Sequence, residues 1–456
     1  MDIHSSGAVE NTVLESGTIK EEKPVQVTKP VSTAERIKTI DVVRGVALLG
    51  ILLMNIPGFG FDWSQYYNLM RGSHDNVDFI TLSTVSVFFE GTMRGLFSML
   101  FGAGVILFTM NKKETSGGVT VAEYYYRRLL LLVAFGVFNA FVLLWRGDIL
   151  FFYGLCGLLL YPFRKTAAKW LFILGFTLFA LGTVKNYLGY ADLRDTRAGY
   201  LTAISSEKEG KVLTDEQKKD KEEWLRRENW KPDPQNAARN VSKMRSDYPT
   251  VFSYMLNNNA GSETWGTYHW AIYDCTGMML IGMALFTLGF FSNKWSTSGY
   301  TLSLLVGYGI GIPIGYIMFF KGDLGSINPG AYVDTFRVPH QVLYDLKRTF
   351  LSLGHASLVM LVFRSKIVPW LMKSLAAVGQ MAFTNYLMQS LICTLFFFGY
   401  GLGYYGKLRY HELFFVVGSV WLFQMILSPI WLKYFKFGPL EWVWRSMTYW
   451  KKQNMK

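Results

Sequence analysis

An acid, a guanidinium and an amide stand in one apolar stretch: Asp41, Arg44 and Asn55 within TIDVVRGVALLGILLMNIPGFG, residues 39–60. With its flanks the apolar run is just long enough to cross about 30 Å of hydrocarbon at about 1.5 Å per residue. Polar side chains at that depth cost free energy unless they find partners or line a wet cavity, so together they mark a candidate site. A guanidinium there could hold the phosphate oxygens of a ligand. Structural roles compete: Asp41 as a helix cap, Arg44 reaching back to the interface, and Asn55 ending the helix before Pro57 and Gly58.

Further candidates lie along the chain. Arg127, Arg128, Arg164 and Lys165 fall in short basic loops and could join Arg44 around a phosphorylated ligand, although any one of them alone is explained by topology. Asp148, in Arg146-Gly-Asp-Ile-Leu, reads as a helix N-cap. Glu90 and Arg94 interrupt an apolar block near Gly91 and Gly95 at a spacing of four, which on one helix makes a self-neutralising pair; the alternative is a kinked or broken helix. Gln380, Thr384, Asn385 and Gln389 recur on one helical face, either as interhelical glue or as the wall of a polar passage. His355, centred in an apolar block after Lys347 and Arg348, is a proton carrier or a buried, hydrogen-bonded histidine. No metal-binding histidine pair, Walker loop, dinucleotide fingerprint or serine elbow is present, so no metal and no tightly bound cofactor is expected.

These residues must be positioned by membrane helices. The 456 residues are 51% hydrophobic and only 17% charged, with the apolar residues gathered in long blocks. About ten crossings follow, and the expected fold is all-α: a polytopic transmembrane helix bundle with an extracytoplasmic helical insert. Residues 1–36 are polar and without hydrophobic period, a disordered cytoplasmic tail. Residues 37–188 form an N-terminal membrane half, 189–267 the insert, 268–436 a C-terminal membrane half and 437–456 a second cytoplasmic tail. The insert holds 13 basic and 13 acidic residues, a solvated surface, and Thr214 to Gln217 has capping-box spacing. The net charge of +13 is concentrated in alternate loops. That distribution argues for topology over nucleic-acid binding and puts both termini on the cytoplasmic side of a bacterial plasma membrane. The three cysteines lie in apolar blocks and read as core residues.

Five ordered motifs carry a resemblance: RIKTIDVVRGVALLGILLMN from Arg36 to Asn55, LFSMLFGAG ending at Gly104, Arg127-Arg128 followed by Gly147-Asp-Ile-Leu150, Thr384-Asn-Tyr-Leu387, and GPLEWVWR from Gly438 to Arg445. Together they resemble the YeiB-like family of bacterial membrane proteins, over residues 36 to about 450. The opening Asp-x-x-Arg-Gly helix is also similar to the first helix of transmembrane acyltransferases, including heparan-alpha-glucosaminide N-acetyltransferase and the acyltransferase-three proteins. Those enzymes take acyl-CoA from the cytoplasm and modify an acceptor, often a sugar, on the other side.

That resemblance implies an acyltransferase with acyl-CoA as co-substrate and a sugar or other cell-envelope acceptor. Asp41, Arg44, Arg127 and Arg128 would serve the donor. Asn55 falls where the N-acetyltransferase has a functional asparagine, His74 is the nearest candidate general base, and Asp148 would orient it. Family members often carry a histidine where this chain has Asn139. The competing reading is a transporter of a small solute, with Glu90, Arg94, His355 and the Gln380 to Gln389 stripe along its path, and the third is a non-catalytic scaffold. The oligomeric state is not legible in the sequence.

Overall fold

The computed structural model describes residues 37–110 and 120–456, with the side chain of Tyr268 excepted. The expected N-terminal tail lies outside the described residues. Every regular element described is helical.

The first membrane helix, α1 (Lys38–Gly60), does not stop at Asn55: Pro57 is inside it, and the chain leaves only at Phe61, whose N–H returns to the Pro57 carbonyl at 2.8 Å. A short α2 (Trp63–Arg71) follows, opened by a capping box between Asp62 and Gln65. Next come α3 (Val77–Phe88) and α4 (Thr92–Met110), which read in sequence as one over-long block. Gly91 separates them with φ +70°, a conformation that L side chains rarely adopt, and Tyr344 and Arg348 fill the space a Cβ would need. α5 (Val121–Phe141) and α6 (Leu150–Leu158) pack on each other.

The insert is suspended between two very long helical segments. α7 (Ala168–Lys208) runs 41 residues without a break. α8 (Asp215–Glu228) opens with the expected capping box, Thr214 and Gln217 each accepting the other's backbone N–H. α9 (Pro234–Met244) leads to α10 (Tyr248–Gly266), which passes through one π-turn into α11 (Ile272–Thr287). Trp224 of α8 is fully buried in a small separate core with Tyr190 of α7 and with Tyr332 and Val333 from residues 329–335, so the insert packs against a later segment of the chain.

The remaining elements are α12 (Thr297–Tyr316), a short α13 (Pro329–Thr335), α14 (Tyr344–Ser365), α15 (Pro369–Gln380), α16 (Ala382–Phe397), α17 (Leu413–Tyr434) and α18 (Pro439–Tyr449). α1 is central, contacting α4, α14, α15, α16 and α17. Its crossing with α15 is close: a Cβ on Gly45 would strike the Leu375 carbonyl, and one on Gly379 the Asp41 carbonyl. Leu302, Leu305, Phe415 and Leu422 stand outward on α12 and α17.

Seven helical stretches among the described residues are long and apolar enough to cross a bilayer, against the ten blocks counted in sequence. The blocks at 149–163 and 374–400 fall short because the first folds as a nine-residue helix and the second breaks at Met381 into α15 and α16. α5 is long enough but carries Glu123, Arg127 and Arg128 near its start. With these helices and this outward apolar surface, the chain is an integral membrane protein.

Candidate active site

The helices enclose two cavities that sit back to back. The first, of about 240 Å³, opens at the end of the bundle where α1 begins. Arg44, Arg128, Arg445, Gln380 and Glu441 line its mouth, and Phe97, Phe101, Leu129, Leu132 and Phe383 its walls. Asp41 holds Arg44, Oδ1 to Nη1 at 2.9 Å. Arg128 lies over the Trp444 ring at 4.0 Å, and the indole N–H of Trp444 donates to the Arg128 carbonyl at 2.9 Å, so α18 is clamped to α5. Arg445 lies over Phe437 at 4.4 Å. Glu441 accepts the N–H groups of Phe383 and Thr384 at 2.8 and 3.1 Å and the Thr384 hydroxyl, capping α16 from outside the helix. Burial still pushes the Glu441 carboxyl above its ordinary range. Gly104 faces this space, and a Cβ there would meet nothing within 4 Å.

The second cavity, of about 650 Å³, opens toward the insert. Asn55, Glu90, Arg94, Arg146, Asp148, Trp265 and Trp270 line it. Asp148 is fully buried; its Oδ1 accepts from Asn139 Nδ2 at 2.7 Å and its Oδ2 from the Phe151 N–H at 2.8 Å, so it holds the first turn of α6 from one residue before the N-cap position, Ile149, whereas the sequence reading makes Asp148 the cap itself. Arg94 donates to Asp274 at 2.7 Å and to the Tyr344 hydroxyl at 2.9 Å, with its guanidinium 4.7 Å from the Trp270 ring centre. Glu90 binds Lys347 at 2.9 Å. Arg348, without exposed side-chain surface, bridges Asp274 and Asp345. Three acids and three bases thus balance at the cavity floor.

The expectation that Glu90 and Arg94 neutralise each other is corrected: each pairs across the bundle. The positive φ at Gly91 puts Glu90 beyond the end of α3 and Arg94 inside α4, which removes the helical i, i+4 geometry.

One layer of side chains divides the cavities. Leu150, Tyr153 and Tyr386 line the first, and Gly147, Asp148, Ile149 and Phe152 line the second. The Tyr386 hydroxyl accepts from the Ile149 N–H at 3.1 Å, so its ring belongs to one cavity and its oxygen holds the wall of the other.

Of the sequence candidates, Arg44 and Arg128 meet in the first cavity and Asn55 and Asp148 in the second. His74 is elsewhere, exposed after α2, its Nε2 3.2 Å from the Met70 carbonyl and its ring stacked on Phe79. Arg127 lies off the cavity, bonding the Thr448 carbonyl at 3.3 Å, and Arg164 bonds Tyr161. The polar stripe does not form one path. Gln380 lines the first cavity, Thr384 binds Glu441, Asn385 binds Ser428 and the Val378 carbonyl, and Gln389 binds Gln424 at 3.0 Å. His355 is wedged edge-on between Phe89 and Tyr308. Sequence reasoning missed Arg445, Glu441 and Trp444 as site residues, although all three lie in the GPLEWVWR motif. It also missed Asp274, a lone acid in an apolar block.

A family profile described as a protein of unknown function, DUF418, matches residues 285–451. The uncharacterised protein YeiB of Escherichia coli (strain K12) is 32% identical over 420 residues, which cover 90% of this chain and 95% of that protein. The uncharacterised protein YxaH of Bacillus subtilis (strain 168) is 28% identical over 418 residues, 90% of this chain and 93% of its own. No solved structure matches the chain. With likeness of this degree over nearly the whole of both chains, the protein belongs to the YeiB-like family.

Proposed function

We propose that the protein is a transmembrane acyltransferase that receives an acyl thioester in the basic-mouthed cavity and an acceptor, such as a sugar of the cell envelope, in the cavity beneath the insert. The observation that carries this reading is the pairing of an apolar cavity rimmed by three arginines with a polar cavity across one layer of side chains. By the distribution of Lys and Arg, the arginine rim faces the cytoplasm of a bacterial plasma membrane and the insert faces outward. Arg44, Arg128 and Arg445 suit the phosphates of acyl-CoA, and the aromatic and leucine walls suit its acyl chain and pantetheine arm.

Transfer requires a group to take the acceptor's proton as its oxygen or nitrogen bonds the acyl carbon and the C–S bond breaks; the thiolate then leaves as the thiol by taking up that proton. His74, outside the cavity, is poorly placed. Asp148 is the carboxylate at the dividing layer and takes this role in the proposal, with the Asn55 amide facing the developing oxyanion. The amide nitrogens of Asn385 and Gln389, which donate to the Val378 carbonyl, Ser428 and Gln424 and so tie α15, α16 and α17 together, favour this reading over a transport path.

The test is binding of acyl-CoAs of graded chain length to detergent-purified protein. Wild type should bind saturably, Arg128→Ala should weaken binding by about 10-fold or more, and Gly104→Phe should exclude long chains. His74→Ala should bind as wild type. Failure of folded wild type to bind any of the series would overturn the proposal.

A further inference from the structure

A cation without a counter-charge stands on the long helix that leads into the insert. Lys185 lies about 25 Å along α7 from its start at Ala168, at about 1.5 Å per residue, and so near the far surface of a bilayer that the helix enters there. Leu181 and Leu188, one turn before and after it, are exposed, as is Val184 beside it. Gly182 instead packs toward Tyr273 of α11. Lys185 thus marks the border between the lipid-facing and the packed side of α7.

The ammonium turns inward to the π-turn between α10 and α11. Its Nζ donates to His269 Nδ1 at 2.9 Å and to the His269 carbonyl at 3.1 Å. An ammonium has no lone pair, so Nδ1 is the acceptor and the imidazole proton stands on Nε2. The ring then stacks on Trp265, centres 3.5 Å apart, and Trp265 lines the second cavity.

Two donors remain unused. The third N–H of Lys185 and the Nε2–H of His269 have no acceptor among the described residues, and neither nitrogen is sealed in the interior. No carboxylate there pairs with Lys185, whereas Arg94, Lys347 and Arg348 each have one. An unbalanced positive charge at the edge of the hydrocarbon costs free energy, and a phosphate supplies both the missing charge and the acceptor oxygens.

We propose that Lys185 and His269 bind the phosphate of a bilayer lipid, whose headgroup then lies beside Trp265 at the edge of the second cavity. Its acyl chains run back toward the start of α7 along a face on which Ile173, Leu181 and Val184 are exposed. A free anion would need only the two donors; the apolar face below them selects a lipid. This inference stands apart from the acyl-transfer reading, because neither the first cavity nor any transfer step enters its test.

The experiment adds phosphatidylglycerol with a photoreactive diazirine in its headgroup to the full-length protein purified in a maltoside detergent, which has no phosphate, and maps the crosslinked peptides. Label should appear on α7 around Lys185 and on the π-turn. It should fall about 10-fold in Lys185→Met, and by less in His269→Phe, which keeps a ring against Trp265 and removes the Nε2–H. Unlabelled phosphatidylglycerol should displace the probe, while diacylglycerol and glycerol 3-phosphate should not. Absence of label from these segments in wild type would overturn the proposal, as would equal label in a folded Lys185→Met. Displacement by diacylglycerol would reduce the site to an apolar groove, and displacement by glycerol 3-phosphate would make its ligand a soluble anion; either result overturns it. The competition uses wild type alone, so it decides even where Lys185→Met fails to fold.

Discussion

The Tyr386 hydroxyl accepts the Ile149 N–H at 3.1 Å, tying α16 to the residues just before α6 at the layer between the two cavities. Phenylalanine at this position keeps the ring and leaves the Ile149 N–H unpaired. Tyr386→Phe should therefore destabilise the protein by about 1–3 kcal/mol, read as a lower melting temperature in detergent. Unchanged melting would mean that another acceptor replaces the hydroxyl.

Asp274 is shared by Arg94 and Arg348, both reaching it from other helices. Removing its charge leaves the half-buried Arg94 without a carboxylate and the buried Arg348 with Asp345 alone. Asp274→Asn should cost about 3–5 kcal/mol, more than the loss of any surface ion pair in the insert. A double-mutant cycle with Arg94→Gln should recover part of that loss, because the remaining charges of the cluster then balance.

Glycines of the membrane helices should divide into two kinds. At Gly379 a Cβ would collide with the Asp41 carbonyl, a backbone atom that cannot turn aside, whereas at Gly104 it would meet nothing within 4 Å. Gly379→Ala should then force α1 and α15 apart at a cost of about 1–3 kcal/mol or more, and Gly104→Ala should stay within about 0.5 kcal/mol of wild type. Chemical or thermal denaturation of the two alanine variants side by side checks the contrast.

A pH-sensitive clasp joins the insert to α13. Arg197 grips Asp334 in a fork, Nε to Oδ1 at 3.1 Å and Nη2 to Oδ2 at 2.7 Å, and this bonding holds the Asp334 carboxyl below its ordinary range. A depressed carboxyl contributes stability that is present above its unfolded value, about 3.9, and is lost as pH falls through the lower folded value. The pair is open to solvent, so the effect should be small, no more than about 1 kcal/mol. Hydrogen exchange in α8 should accelerate below about pH 4 in wild type, while Asp334→Asn should show fast exchange already at neutral pH.

Patterns that repeat along the chain were legible in the sequence. The apolar blocks located every long membrane helix, and Thr214 with Gln217 located the start of α8, because burial periods and caps are written in neighbouring residues. Asp148 was legible for the same reason: its bond to the Phe151 N–H spans three positions. Partners set by three-dimensional packing were not. Nothing near Glu90 in sequence announces Lys347, and Asp274 finds its arginines from 180 and 74 positions away. The spacing of Glu90 and Arg94 misled because one glycine with positive φ cancels the helical geometry on which the spacing rule depends. Arg445 and Trp444 reach the first cavity only because α18 folds back against α5 and α16.

α7 continues unbroken from the bundle into the insert, and α10 joins α11 through a single π-turn. The insert is therefore mounted on two stiff levers rather than tethered by loops. A load applied to its outer surface by a binding partner would tilt α7 and α11, which pack against each other, and α11 carries Asp274. A displacement of the insert would thus be felt first as torque on the balanced charges beside the second cavity.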